Sequence, residues 1–155
     1  MNQPPKRLSS PLKVTHNGIL LAMVIPHDYT QPGVNFFTPD TFPQQLAYMN
    51  HPGGHTIAPH AHNPVHREVT HTQEVLILRK GRLRVDFYDD GQIYIKSTIL
   101  EAGDVILLAD GGHGFHVLEE VEMIEVKQGP FAGDEDKCRF SGIAPDQIEL
   151  ITWNK

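Results

Sequence analysis

From residue 73 to residue 127 short runs rich in β-branched and other apolar residues alternate with turns, without any internal sequence repeat. The runs are 73–79, 82–88, 92–100, 105–109, 113–118 and 121–127. Most are separated by turn residues: Lys80-Gly81, Asp89-Asp90-Gly91, Glu101-Ala102-Gly103-Asp104 and Glu119-Glu120. Turns that recur roughly every 8–12 residues are the spacing of an all-β sandwich or barrel. Asp89-Asp90-Gly91 is a strong hairpin signal, because glycine tolerates positive φ and aspartate bonds its own backbone. No stretch combines helical periodicity with caps, and the one short helix expected lies near residues 145–150.

Period-2 alternation assigns the faces. In 82–88, Leu83, Val85 and Phe87 share one side and Arg82, Arg84, Asp86 and Tyr88 the other, so this strand is half exposed. In 73–79, Glu74, Leu76 and Leu78 share a side, yet Val75 and Ile77 make the opposite side apolar too; Val105 to Leu108 is apolar on both sides. A strand apolar on both sides must be covered on both sides. In so short a chain the cover is a second sheet, the N-terminal segment or a partner subunit, and a homodimer is expected.

Towards the N-terminus, 19–25 and 45–49 read as strands, while Pro26, Pro32, Gly33, Pro39 and Pro43 interrupt the interval between them. Residues 1–18 are expected to form a flexible segment, and 19–155 a single β-barrel domain with its core motifs in 54–127. The length, 155 residues, suits one domain with a real core.

A net charge of -6 argues against a nucleic-acid partner. The longest apolar run, seven residues ending before Pro26, falls far short of a membrane span, and no secretory signal is evident. Cys138 is the lone cysteine, which suits a reducing compartment; its acidic neighbours disfavour a thiolate. The cytoplasm is the expected location, with no membrane contact.

Ten histidines occur, six of them between His51 and His71: His51, His55, His60, His62, His66 and His71. A cluster of neutral imidazoles is a metal-binding signal. On a strand, His60-Ala61-His62 points both rings to one face. Glu74 lies in phase with Leu76 and Leu78, and His113 in phase with Phe115 and Val117. Where those faces line one barrel interior, three imidazoles and one carboxylate converge.

These residues carry a resemblance to the cupin superfamily. Gly54 is followed after five residues by His60-Ala61-His62, and Glu74 after six residues by Gly81; Gly103 is followed by Ala109, Gly111 and His113. The interval from His62 to Glu74, eleven residues, is longer than the family's short gap and introduces His66, Arg67, Glu68 and His71. Ala109 stands where the family has proline. The resemblance implies a cupin-type β-barrel (a double-stranded β-helix, or jelly roll) with one metal near its mouth, held by His60, His62, Glu74 and His113. His71 or His66 is the alternative to Glu74.

Three nitrogens and one carboxylate oxygen leave two positions open on a six-coordinate ion, to admit water, substrate or dioxygen. A mixed N/O set without thiolate suits manganese or iron first, nickel or zinc second. The expected activity is chemistry on a small organic molecule, either oxygen insertion at Fe(II) or isomerisation or epimerisation of a sugar or acid. His71, His66, Tyr48 and Glu125 are the candidates for an acid or base. The alternative is a non-catalytic, metal-dependent small-molecule binder, since one fold hosts both.

Overall fold

A computed structural model describes residues 9–153 of the chain. They are mostly β-structure, arranged as eight strands and two short 3₁₀ turns. Two compact units are formed: one from residues up to Tyr29 together with those from Thr72 onward, the other from Thr30–His71. Among the described residues no helix is long and apolar enough to cross a membrane.

The first unit is one antiparallel, curled sheet. Its strands are β1 (Leu12–His16), β2 (Ile19–Ile25), β5 (Glu74–Tyr88), β6 (Tyr94–Glu101), β7 (Val105–Leu108) and β8 (Gly112–Lys127). They are ordered β1-β2-β7-β5-β6, with β8 pairing along β5. β1 falls in the segment expected to be flexible, of which residues 1–8 lie outside the described part. It is joined to β2 by Asn17-Gly18, with φ of 50° and 80°. A two-residue link with both φ positive is the hairpin turn that matches strand twist, and Asn-Gly is its preferred sequence.

Two expected turns are bends instead. Residues 74–88 form one long strand rather than two, and β8 runs unbroken past Glu119-Glu120. The two places face each other in the β5–β8 ladder, where the register shifts between Leu78 and Leu83. Gly81 has φ of 81°, and a Cβ there would land on the Glu120 carbonyl. Lys80 pairs with Glu120 and Arg82 with Glu119 at the same bend. Gly81 therefore supplies the backbone of a bulge, and the partner strand keeps the chain going forward.

The bend brings the two ends of β5 to neighbouring strands. Its first residue, Glu74, pairs with Leu108 of β7, and its last, Tyr88, pairs with Gly112 of β8, with three residues between β7 and β8. The short link 109–111 thus draws the two ends of a 15-residue strand together. Gly111, with φ of 67°, packs so tightly on the Tyr88 carbonyl that a side chain has no room.

Leu76, Leu78, Leu83, Val85 and Phe87 of β5 form the core with Val24, Leu100 and Ile106. The apolar face read from alternation holds here, but 82–88 is not half exposed as expected: Asp86 and Tyr88 on the other face are buried, Tyr88 under Phe140. Met23 and Leu107 are also fully buried, so β2 and β7 are covered on both sides within a single chain. The turn before β7 is knotted by Asp104, whose carboxylate accepts from the backbone N–H of Glu101 and of His27. Asp89 does the same for Ile93 after β5, the local bond expected of an aspartate turn. At the C-terminus, Pro145–Gln147 makes a single 3₁₀ turn, and the chain beyond it docks on β6 through Ser97 and Leu150.

The second unit holds one hairpin, β3 (Gly33–Phe36) with β4 (Ala47–Asn50). β4 overlaps the strand expected at 45–49. β3 was hidden by its flanking prolines, since Pro32 ends just where the strand begins and Pro39 lies beyond it. Residues 51–71 contain neither strand nor helix.

Candidate metal centre

Glu74 and His113 come together in the first unit. β5 starts on Glu74 with the side chain on the core face, 7 % exposed. His113 is the second residue of β8, opposite Phe87, which lies on that same face. Their functional atoms, Glu74 Oε2 and His113 Nε2, stand 3.2 Å apart. The hydrogen bond from His113 is the main cause holding the Glu74 carboxyl below its ordinary pKa. Burial opposes that effect, and the charges of His113, Lys127 and Lys137 reinforce it. The Phe115 ring lies beside His113, with centroids 5.3 Å apart.

Lys127, at the far end of β8, pairs in register with Glu74 and shares its face with Glu125. Its Nζ is 3.9 Å from Glu74 Oε1 and 3.7 Å from Glu125 Oε1. The alternation within β8 put Glu125 and Lys127 on one side. Nothing in the sequence said that Glu74 would be the residue opposite.

His60 and His62 belong to the second unit, where both are exposed. Their rings meet edge to face, with centroids 5.4 Å apart. His60 Nδ1 lies 3.0 Å from the Ala58 carbonyl oxygen. A ring that donates Nδ1–H to a backbone carbonyl is fixed in the tautomer whose Nε2 carries a free lone pair, the usual preparation of a metal-binding imidazole. The two residues lie in a loop, so their pairing does not come from strand alternation. His66, Arg67, Glu68 and His71 are exposed in the same loop. His51 and His55 stack on each other, 4.2 Å between centroids. Tyr48 is half-buried on β4.

The other histidines have structural surroundings. His27 is held by Asp104, His16 lies 3.8 Å from Asp89, and His116 is exposed on β8 opposite Arg84. Among the described residues, no three His, Cys, Asp or Glu side chains within either unit are gathered so as to hold an ion.

The donor chemistry of the pair in the first unit fits a metal. Two ligands bonded at about 2.1 Å to one ion are separated by roughly 3.0 Å at an octahedral edge and 3.4 Å at a tetrahedral one. The spacing of 3.2 Å falls between these values. No protein-family model, curated protein or solved structure matches this chain.

Proposed function

We propose that the chain is a cupin-like metalloprotein in which Glu74 and His113 hold one divalent transition ion for chemistry on a small organic molecule. The observation that carries this reading is the 3.2 Å separation of a buried carboxylate oxygen and an imidazole nitrogen on one curled face. A set of imidazoles and a carboxylate suits Mn(II) or Fe(II), with Ni(II) or Zn(II) as competitors.

The bound ion supplies Lewis acidity and vacant positions for substrate or dioxygen, the basis of either isomerase or oxygenase chemistry. The protein's part is orientation. β5 fixes the Glu74 carboxylate by burial, and His113 is steadied by the tight Gly111 link and by Phe115. A second copy of the chain is the proposed cover for β8, whose Val117, Ile124 and Val126 are 45–53 % exposed.

The test is Mn(II) uptake by protein purified without an affinity tag. Wild type is expected to take up about one ion per chain, and Glu74→Gln and His113→Ala to weaken uptake at least ~tenfold with the fold retained by circular dichroism. Wild-type-like uptake in both variants would refute the assignment. Because imidazole must be neutral to bind, uptake should also fall as acid protonates the ligands.

A further inference from the structure

We propose that two copies of the chain join edge to edge along β8, antiparallel, with Glu119 at the two-fold axis, so that their curled sheets become one; this rests on the second-copy reading above. Among the described residues β8 has one neighbour, β5, which it follows along its whole length. No strand of the described residues lies beside the opposite edge of these 16 residues. An unpaired edge of that length is a template for another strand. The side chains are bare as well: Phe115, Val117, Leu118, Met123, Ile124 and Val126 are 40–53 % exposed.

The residues of β8 say which strand suits that edge. Gly112 to Leu118 carry two imidazoles and no carboxylate, whereas Glu119 to Glu125 carry four carboxylates and no cation. A parallel copy sets the four acids against themselves, and like charges directly opposite destabilise a pair of strands. An antiparallel copy sets the acid half against the imidazole half. With Glu119 opposite its own copy, His116 faces Glu122, Phe115 faces Met123 and Val117 faces Val121, and each pairing occurs twice. A slip of two residues one way puts Phe115 opposite Glu125 and Leu118 opposite Glu122. The same slip the other way puts Val117 opposite Glu119 and turns His116 to Glu120, already held by Lys80 at 2.7 Å.

Residues facing across two strands must also point to one side of the sheet. β8 meets that condition on both sides of its bend, since Val117 pairs with Leu83 and Met123 with Leu78, both core residues. The bend faces Gly81 near the middle of the strand, so an axis through Glu119 gives the two strands matching curvature. The two Glu119 carboxylates that meet there each have Arg82 of their own chain 3.3 Å away, which offsets their repulsion.

The test uses the full chain carrying Cys138→Ser, so that an added thiol is the only one. Residues directly opposite in an antiparallel pair have Cα atoms about 4.5–5.5 Å apart, within the span of a disulfide. Glu119→Cys should therefore join two chains when treated with oxidised glutathione. Leu118→Cys and Glu120→Cys, diagonal to their own copies, should join at least ~fivefold less. In sedimentation, His116→Glu should weaken the dimer about tenfold, and adding Glu122→Lys should recover the loss. Cross-linking that peaks at 118 or 120, or is absent at all three positions in a dimeric protein, overturns the edge pairing and leaves a second copy elsewhere. Equal dimer affinity in wild type and His116→Glu also overturns it. A monomeric wild type refutes the second-copy reading itself and this inference with it, and leaves the edge to a strand of a different protein.

Discussion

At the scale of the residue, Glu74 links stability to the candidate site. Its carboxyl is held below the ordinary range chiefly by the His113 hydrogen bond. A carboxylate whose folded-state pKa lies below its unfolded value adds stability at pH above the unfolded value, and that stability is lost as pH falls through the lowered one. The urea midpoint of the metal-free protein should therefore drop on acidification through the carboxylate range. In Glu74→Gln that part of the drop should be missing. Parallel curves for the two proteins would mean that the pair contributes nothing in solution. Glu74 and His113 were both legible in the sequence because each is in phase with apolar residues of its own strand, and phase is a local property. Lys127 was not, because its nearness to Glu74 depends on the register between strands some fifty residues apart. The Asp104 knot was hidden for the same reason: its partner His27 lies on the far side of the sheet's connectivity.

At the scale of the element, Gly81 decides whether β5 and β8 can curl. A methyl group there meets the Glu120 carbonyl, in a backbone conformation that side chains rarely adopt. Gly81→Ala should cost about 2 kcal/mol or more in denaturant unfolding. Gly53→Ala, where a Cβ meets nothing and φ is not positive, should be close to neutral. A small effect at Gly81 would show that the bend is set elsewhere. The strand positions of this region were legible from turn spacing and alternation, but Lys80-Gly81 and Glu119-Glu120 were read as reversals. The same residue types serve a reversal and a bulge, and only the partner strand distinguishes them. Asn17-Gly18 is the opposite case, a legible hairpin signal passed over among the prolines and serines of the first residues. β3 was obscured because proline was read as a breaker, whereas it can precede a strand without disturbing the ladder.

At the scale of the whole molecule, the apolar surplus lies on β8. The two-sided apolar pattern of β7, which suggested a partner subunit in the sequence, is satisfied within one chain. Among the described residues β8 instead pairs only with β5 and exposes Phe115, Val117, Met123, Ile124 and Val126 along an open edge. Proteins rarely leave a long apolar edge unprotected. Light scattering should give twice the chain mass of 17.4 kDa, and Ile124→Lys with Val126→Lys should return the protein to monomer. A monomeric wild type at micromolar concentration would remove the case for a second copy. An all-β architecture was legible because turn recurrence reports it directly. The division into two units was not, since the loop carrying His60 and His62 has no periodicity to betray where it belongs.

The central claim is that a carboxylate and imidazoles from this chain bind one ion. X-ray absorption on the Mn(II)- or Fe(II)-loaded protein tests it most directly, because imidazole rings leave a distinctive outer-shell scattering pattern. The expected result is a sulfur-free N/O shell with imidazole scattering that is lost or reduced in His113→Ala. A shell without imidazole scattering, or one that His113→Ala leaves unchanged, would contradict it.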